Sequence, residues 1–300
     1  MAFNKREHLQ HNIDALRLAF YLEKQQRQAT GTERELLLQY SGFGGLKFVL
    51  NPVDTPGAIE QWAKSEQPLF ALTLELHQLL QEYSANEKQY RSYLESLRSS
   101  VLTAFYTPPL VIDAIAETFR DNALQIQNFL EPSAGTGSFL DAFKIDAVTQ
   151  GTAYEKDLLT GVVLRQLQPA ATIRIKGFEE VPDKEKESYD VVASNIPFGD
   201  ISVFDLSYIR GADPARRLAA RSIHNYFFLK GTDMLREGGI LVFITSQGVL
   251  NSPKNEPIRR SMMKDNSLIA AIRLPNNLFT DYAGTEVGSD LIVVQKHTGK

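Results

Sequence analysis

From about residue 101 onward, short apolar runs alternate with stretches of helical periodicity. A chain written this way has few folds open to it. The runs Asn128–Leu130, Gly151–Tyr154, Ala171–Ile175, Tyr189–Ala193, Ile240–Thr245, Ser267–Arg273 and Asp290–Gln295 read as strands. Repeated strand–helix units can bury both faces of a sheet only if the helices cover both sides. The pattern therefore predicts an α/β protein with a doubly wound, mainly parallel sheet of seven strands. The last run follows no helical stretch, which marks it as an antiparallel strand at the end of the order.

Residues 1–100 read differently, as an all-helical N-terminal region before a second domain over 101–300. Leu9, Ile13, Leu16 and Phe20 recur at spacings of three and four, the apolar stripe of a helix. Thr32-Glu33-Arg34-Glu35 has the form of a capping box, and Ser84-x-x-Glu87 offers a second. Two further helices are predicted, over 56–83 and 85–100, with Trp62 and the leucines of 70–80 in their core. Between them Ser41-Gly42-Phe43-Gly44-Gly45-Leu46 breaks the helical pattern into a tight, irregular loop. Thr107-Pro108-Pro109 then reads as a helix start, with Thr as the cap and Pro in the first turn.

Four signals fall at successive strand ends, where ligands bind in such sheets. Glu131-Pro132-Ser133-Ala134-Gly135-Thr136-Gly137 is a glycine turn between a strand and a helix. Leu140 stands where a dinucleotide fingerprint would carry its third glycine, which argues against a dinucleotide. Glu131 would repel a phosphate but suits an ammonium group. Glu155, after the next strand, is placed to accept both hydroxyls of a ribose. Phe178 could face an adenine ring, with Glu179 or Glu180 accepting from its amino group. The fourth signal is Asn195-Ile196-Pro197-Phe198, which ends a buried strand.

These residues resemble the amino-methyltransferases that use S-adenosylmethionine and carry an N-P-P-[YF] loop. More narrowly, they resemble the adenine-N6 DNA methyltransferases in which the cofactor motif precedes that loop. Ala104-Phe105-Tyr106-Thr107-Pro108 resembles the N-terminal cofactor motif, and Leu130–Leu140 the glycine motif. The segments Ile223–Phe228, Gly238–Ser246 and Arg273–Phe279 resemble later motifs, in the family's order. Tyr40–Leu46 resembles a segment of the methylase–helicase proteins of phages and mobile elements.

The resemblance implies a chemistry. An adenine amine is a poor nucleophile because its lone pair is delocalised into the ring. Two acceptors aimed at its N–H bonds, the Asn195 side chain and the Ile196 carbonyl, would push it towards tetrahedral geometry. Phe198 would stack on a base flipped out of DNA, and Phe279 would pack on its other side. Tyr106 and Thr107 would approach the methionine end of the cofactor. Glu131 would lie near its ammonium, with Ser133, Gly135 and Gly137 along the turn. Glu155 would hold the ribose, while Phe178 and Glu179 would bound the adenine. Ile196 departs from the family's proline, so the loop loses one fixed φ and is expected to be less rigid.

Composition sets the limits. The chain has 300 residues, a net charge of −4 and no cysteine. A thiolate adduct on a base, a disulfide framework and a cysteine zinc site are excluded. The five histidines form no metal-ligand pair, so no metal is expected. His224 reads as a structural hydrogen-bonding residue. No apolar run spans a bilayer and no signal peptide is visible, which predicts a cytoplasmic protein without membrane contact. The total is acidic, yet residues 201–264 carry ten Lys/Arg against five Asp/Glu. Arg216, Arg217, Arg221, Lys254, Arg259 and Arg260 could grip DNA phosphates. Asn-Ile-Pro-Phe also suits a protein-glutamine N5 methyltransferase, and the isoleucine keeps a non-catalytic cofactor- or DNA-binding module open. The motifs occupy the chain to about residue 298. A dedicated target-recognition or helicase module is therefore expected on a partner or downstream.

Overall fold

A computed structural model describes residues 4–104, 106–144, 149–278 and 288–299. The N-terminal part contains α1 (Lys5–Gln25), α2 (Gly31–Leu37), α3 (Phe70–Glu82) and α4 (Glu87–Thr103). Then follow α5 (Pro109–Asp121), β1 (Asn128–Glu131), α6 (Ser138–Ala142), β2 (Gln150–Tyr154), α7 (Leu158–Leu167) and β3 (Thr172–Arg174). The chain continues through β4 (Tyr189–Asn195), α8 (Leu206–Ile209), α9 (Pro214–Ala219), α10 (Ile223–Met234) and β5 (Leu235–Ser246). It closes with α11 (Glu256–Met262), β6 (Asn266–Arg273) and β7 (Ser289–Lys296).

The seven strands form one sheet in the order β3-β2-β1-β4-β5-β7-β6. β3, β2, β1, β4 and β5 pair in parallel. β7 is antiparallel to both β5 and β6. It is therefore not at the end of the order, as the sequence suggested, but inserted between β5 and β6. Asp290 explains the insertion. It is 2% exposed and receives the Arg273 guanidinium of β6, while its own residue pairs with Thr245 of β5.

Period-two alternation divides the buried side chains between the two faces. Phe129, Val191, Ala193, Val242 and Ile244 pack with α5, α6 and Leu164. Leu130, Val192, Leu241 and Phe243 pack against α10 and α11. β5 begins five residues earlier than expected because Leu235 pairs with Tyr189 across a register shift. Gly238, with φ +73°, and Gly239, held close to the Tyr189 and Arg236 carbonyls, make that bend feasible.

The N-terminal helices share a core with the outer side of α7. Leu9, Ile13, Leu16, Phe20, Leu76 and Trp62 belong to the same cluster as Leu159, Val162, Val163 and Leu167. Three local expectations are corrected. The capping box of α2 is Thr30 with Glu33, since Glu33 is three residues after Thr30 and returns a bond to its N–H. α4 is capped by Asn86; the Ser84 hydroxyl instead donates to the Leu80 carbonyl. Residues 56–69 form two separate short turns, 56–61 and 67–69, and continuous helix begins only at Phe70. Proline in the first turn of each segment starts it but cannot continue a preceding one.

At the opposite end of the sheet from the glycine turn, Asp190 fastens β4 to the entry of β1. Its Oδ2 accepts from the Gln127 and Asn128 N–H groups at 2.7 Å, and Arg236 pairs with its other oxygen. Burial pushes its pKa up, but these bonds outweigh burial and hold it below the ordinary value. Asp190→Asn should cost about 1–3 kcal/mol, since Asn offers one acceptor where two N–H groups and a cation converge. The wild type should lose this increment on acidification through the lowered pKa, whereas the variant should not. Urea unfolding at neutral and acid pH measures both effects.

Candidate active site

Between β1 and β4 the strand order reverses. The connections leave in opposite directions there, and a crevice opens at the carboxyl ends. A cavity of about 350 Å3 occupies it. Its wall includes Tyr106, Thr107, Glu131, Ser133, Gly135, Glu155, Phe178 and Glu179, together with Asn195, Ile196, Pro197 and Phe198.

The glycine turn is shaped by backbone bonds and one carboxylate. Gly135 has φ +54° and Gly137 φ +84°, the left-handed region that suits glycine. The Ala134 N–H donates to the Tyr154 carbonyl, and the Gly137 N–H to the Ala134 carbonyl. Glu155 joins two elements: Oε2 accepts from Gly135 N–H at 2.7 Å and Oε1 from Asp157 N–H at 2.8 Å. Asp157 in turn caps α7 through Thr160 N–H. At Gly135 an added Cβ would come within 2.6 Å of the Tyr106 ring. Gly137 does not reach the cavity. It faces Gln168, whose Nε2 donates to its carbonyl, so its part is to turn the chain into α6.

Glu131 is 2% exposed at the end of β1 and accepts from Leu140 N–H at 3.3 Å. Burial pushes its pKa well up. No salt bridge with a basic side chain is made by Glu131 among the described residues. Glu155 is pushed up to about 7, first by burial and then by the Asp157 charge. The Thr107 hydroxyl is buried without a hydrogen-bond partner among the described residues. Thr107 is not the cap of α5, since Pro108 stands in that position.

Phe178 is buried against Phe227 with ring centroids 5.0 Å apart. Glu179 faces the cavity, its Oε1 2.6 Å from Lys156 Nζ. Glu180 turns away and bonds the Gly177 N–H. Lys230, itself buried, donates to the Glu179 carbonyl at 3.3 Å and to Asp205 at 3.1 Å. It thereby links this wall to the segment that follows the Asn-Ile-Pro-Phe loop.

That loop is firmer than its sequence suggested. The Ser194 hydroxyl donates to the Ser133 carbonyl, fixing the end of β4 to the glycine turn. Ile196 is 1% exposed, and its N–H donates to the Ile244 carbonyl at 3.0 Å. A proline there would lack that N–H. Side-chain burial and one more ladder bond thus replace the missing ring constraint. The Phe198 ring lies 6.3 Å from that of His224. His224 contacts Thr245 through Nδ1 and Ser246 through Nε2, and burial lowers its pKa.

The expected phosphate grip is largely dispersed. Arg216 makes a two-bond pair with Asp233 near the amino end of β5, away from the crevice. Arg217 donates to the Gly211 and Ala212 carbonyls, and Arg259 to those of Val249 and Ser252. Arg216 thereby joins α9 to α10, and the other two hold loops together. Arg260 is exposed beside Glu256, and Arg221 and Lys254 are exposed. Phe279 lies outside the described residues. Wall residues that the motifs did not announce include Ser99, Ser100 and Thr103 of α4, Thr160, and Phe204. Phe204 is 76% exposed. Its only signal in the sequence was its closeness to the Asn-Ile-Pro-Phe loop.

The N-6 DNA Methylase family profile matches residues 92–300. The defense against restriction protein B of Escherichia phage P1 is 26% identical over 200 residues, covering 65% of this chain. The chain spans about 8% of the length of that curated relative. A Listeria monocytogenes structure assigned to the class I S-adenosylmethionine-dependent methyltransferases aligns with a TM-score of 0.54 at 16% identity. It covers 98% of this chain and 89% of that one. The type I restriction-modification system methyltransferase subunit of Streptococcus thermophilus also reaches 0.54 at 16% identity, over 97% and 78%. At such identity the structural likeness speaks for the fold.

The Glu155 carboxyl is neutral more readily in the folded protein than in the unfolded chain. Its contribution is therefore complete below the ordinary carboxylate range and is lost as pH rises through about 7. Relative to Glu155→Gln, which cannot ionise, the wild type should lose stability between pH 5 and pH 8. Urea unfolding of the two proteins at both pH values reads the difference.

Proposed function

The chain belongs to the N-6 DNA methylase family, and from that premise we propose that this crevice methylates N6 of an adenine flipped out of DNA. The family's cofactor is S-adenosylmethionine. The single observation that carries the proposal is the meeting of Glu131, Glu155 and Asn195 on one cavity at the strand-order reversal. The residues present fit that cofactor. Glu131 is a buried carboxylate suited to an ammonium, Thr107 offers a buried, unused hydroxyl, and Gly135 leaves no room for a side chain. Glu155 accepts from the ribose, and Phe178 and Glu179 bound the adenine. When bound, the cofactor supplies a sulfonium-activated methyl group.

The remaining work falls to this chain. Asn195 and the Ile196 carbonyl accept from the two N–H bonds of the target amine. As the nitrogen gains positive charge in the transition state, both bonds strengthen. This lowers the barrier without a covalent intermediate. Phe198 stacks on the flipped base, which offsets part of the lost stacking in the duplex. His224 already uses both ring nitrogens within the protein, so it positions the loop through Phe198, and the proton that the methylated amine sheds would pass to water.

The family match favours DNA over a glutamine side chain as substrate. Target recognition and most of the grip on DNA belong to another module, of recognition or helicase type. Two observations support this: Arg216, Arg217 and Arg259 already bond other groups of the chain, and the phage relative is far longer than this chain. No helix among the described residues is long and apolar enough to cross a membrane.

With tritiated cofactor, label should enter the adenine of DNA and be absent from free protein. Asn195→Ala should lower transfer by at least about 100-fold while cofactor affinity changes little. Cofactor binding with no transfer to DNA or protein would overturn the enzymatic reading. Restoring the family's proline tests the loop. Ile196→Pro removes the N–H that reaches Ile244, so stability should fall by about 1 kcal/mol and the rate should drop, not rise.

A further inference from the structure

Three features of the N-terminal part converge on the cofactor wall. The first is Asn12, fully buried in α1. Its Nδ2 donates to the Gly42 carbonyl at 2.5 Å, and its Oδ1 accepts from Ser41 N–H at 3.0 Å. One side chain thus bridges the Ser41 N–H and the Gly42 carbonyl, the groups that flank the Ser41–Gly42 peptide. The second is the glycine loop itself. Gly42 has φ +69°, and an added Cβ would lie 2.7 Å from the Ala104 Cβ and 3.2 Å from Tyr106 Cε2. An added Cβ at Gly44 would lie 2.1 Å from the Ala104 carbonyl oxygen. The third is Ser100 of α4, whose hydroxyl accepts from Phe43 N–H at 3.1 Å.

Tyr106 receives the sum of these contacts. One edge of its ring faces Gly42 and the other faces Gly135, where an added Cβ would come within 2.6 Å of Cε1. Two glycines distant in sequence therefore leave a slot one ring wide. A side chain on either would push the ring into the cavity or out of the wall.

We infer that the loop at 41–45, fastened by Asn12, is a structural part of the cofactor site that sets Tyr106 against the glycine turn. Asn12 and Gly44 are positioning residues: they act through Ala104 and Tyr106 and touch no ligand. The helices before residue 100 thus govern cofactor affinity. This explains why Ser41-Gly42-Phe43-Gly44-Gly45 carries glycines where no ligand approaches. The inference rests on the cofactor reading of the cavity, but not on the identity of the methyl acceptor.

The test uses the full chain and calorimetric binding of S-adenosylhomocysteine, so it does not depend on finding the right DNA. Asn12→Ala and Gly44→Ala should each weaken binding by about tenfold or more. Gly57→Ala, where an added Cβ meets nothing within 4 Å, should leave it unchanged. Leu76→Ala provides a destabilised control, since Leu76 is buried on α3 in the same helical core and makes no hydrogen bond to the loop. It should lower the unfolding temperature without lowering affinity. Hydrogen exchange of the ligand-free protein should show faster exchange at Tyr106 and Thr107 in Asn12→Ala, which remains readable if Gly44→Ala does not fold. Native affinity in Asn12→Ala would overturn the inference. So would an equal loss of affinity in Leu76→Ala at matched stability. If no variant, nor the wild type, binds S-adenosylhomocysteine, the cofactor reading itself falls.

Discussion

The pairing of β1 with β4 is the constraint on which the site depends. These two strands are neighbours in the sheet but are separated in sequence by β2, α7 and β3. The chain therefore winds outward from β1 in one direction and from β4 in the other. Crossovers on the two sides run to opposite faces, and nothing fills the gap above the strand ends. The crevice is a product of topology before any side chain is considered. The Ser194 hydroxyl, bonded to the Ser133 carbonyl, then keeps its two rims at a fixed separation.

The rims carry acids that ordinary stability would disfavour. Glu131 and Glu155 are buried, Asp157 lies partly buried beside them, and desolvation raises the pKa of each. Backbone N–H groups, at Leu140, Gly135, Asp157 and Thr160, provide the compensation. Such an arrangement is rigid because each carboxylate is tied to a different element. It is also unfinished electrostatically, because peptide dipoles offset burial without supplying a full positive charge. On the proposed reading, the ammonium of the cofactor would supply that charge.

Much of this was legible in the sequence, and for definite reasons. The apolar runs sit where strands occur because full burial on two faces leaves no alternation to confuse with helix. Glu131, Glu155, Phe178 and Asn195 could be expected on one cavity wall, where they lie, because strand ends are where a sheet of this kind exposes its side chains. The order β5-β7-β6 was not legible, since antiparallel pairing depends on side-chain partners such as Arg273 and Asp290 that no local pattern encodes. The basic stretch misled because charge counting ignores partners: Arg216 belongs to Asp233. Gly137 misled because a glycine required by a positive φ looks the same as one required by a ligand. The walls supplied by α4 were invisible because serine and threonine on a helix resemble any solvated face.

The placement of β7 has a consequence for how the protein comes into being. β5 is the strand whose carbonyl at Ile244 holds the Asn-Ile-Pro-Phe loop, and its far edge is covered by β7. β7 follows the other six described strands of this sheet in the sequence, and it enters between two strands made before it. Until it does, β5 is an open edge and β6 has no neighbour in the sheet. The pairing of β7 with β6 is local, whereas its pairing with β5 reaches back across α11 and β6. The bond that fixes Ile196 joins β4 to β5, so β7 bears on it only by covering the far edge of β5. The strand that backs the Asn-Ile-Pro-Phe loop is thus completed by a part of the sheet made after it.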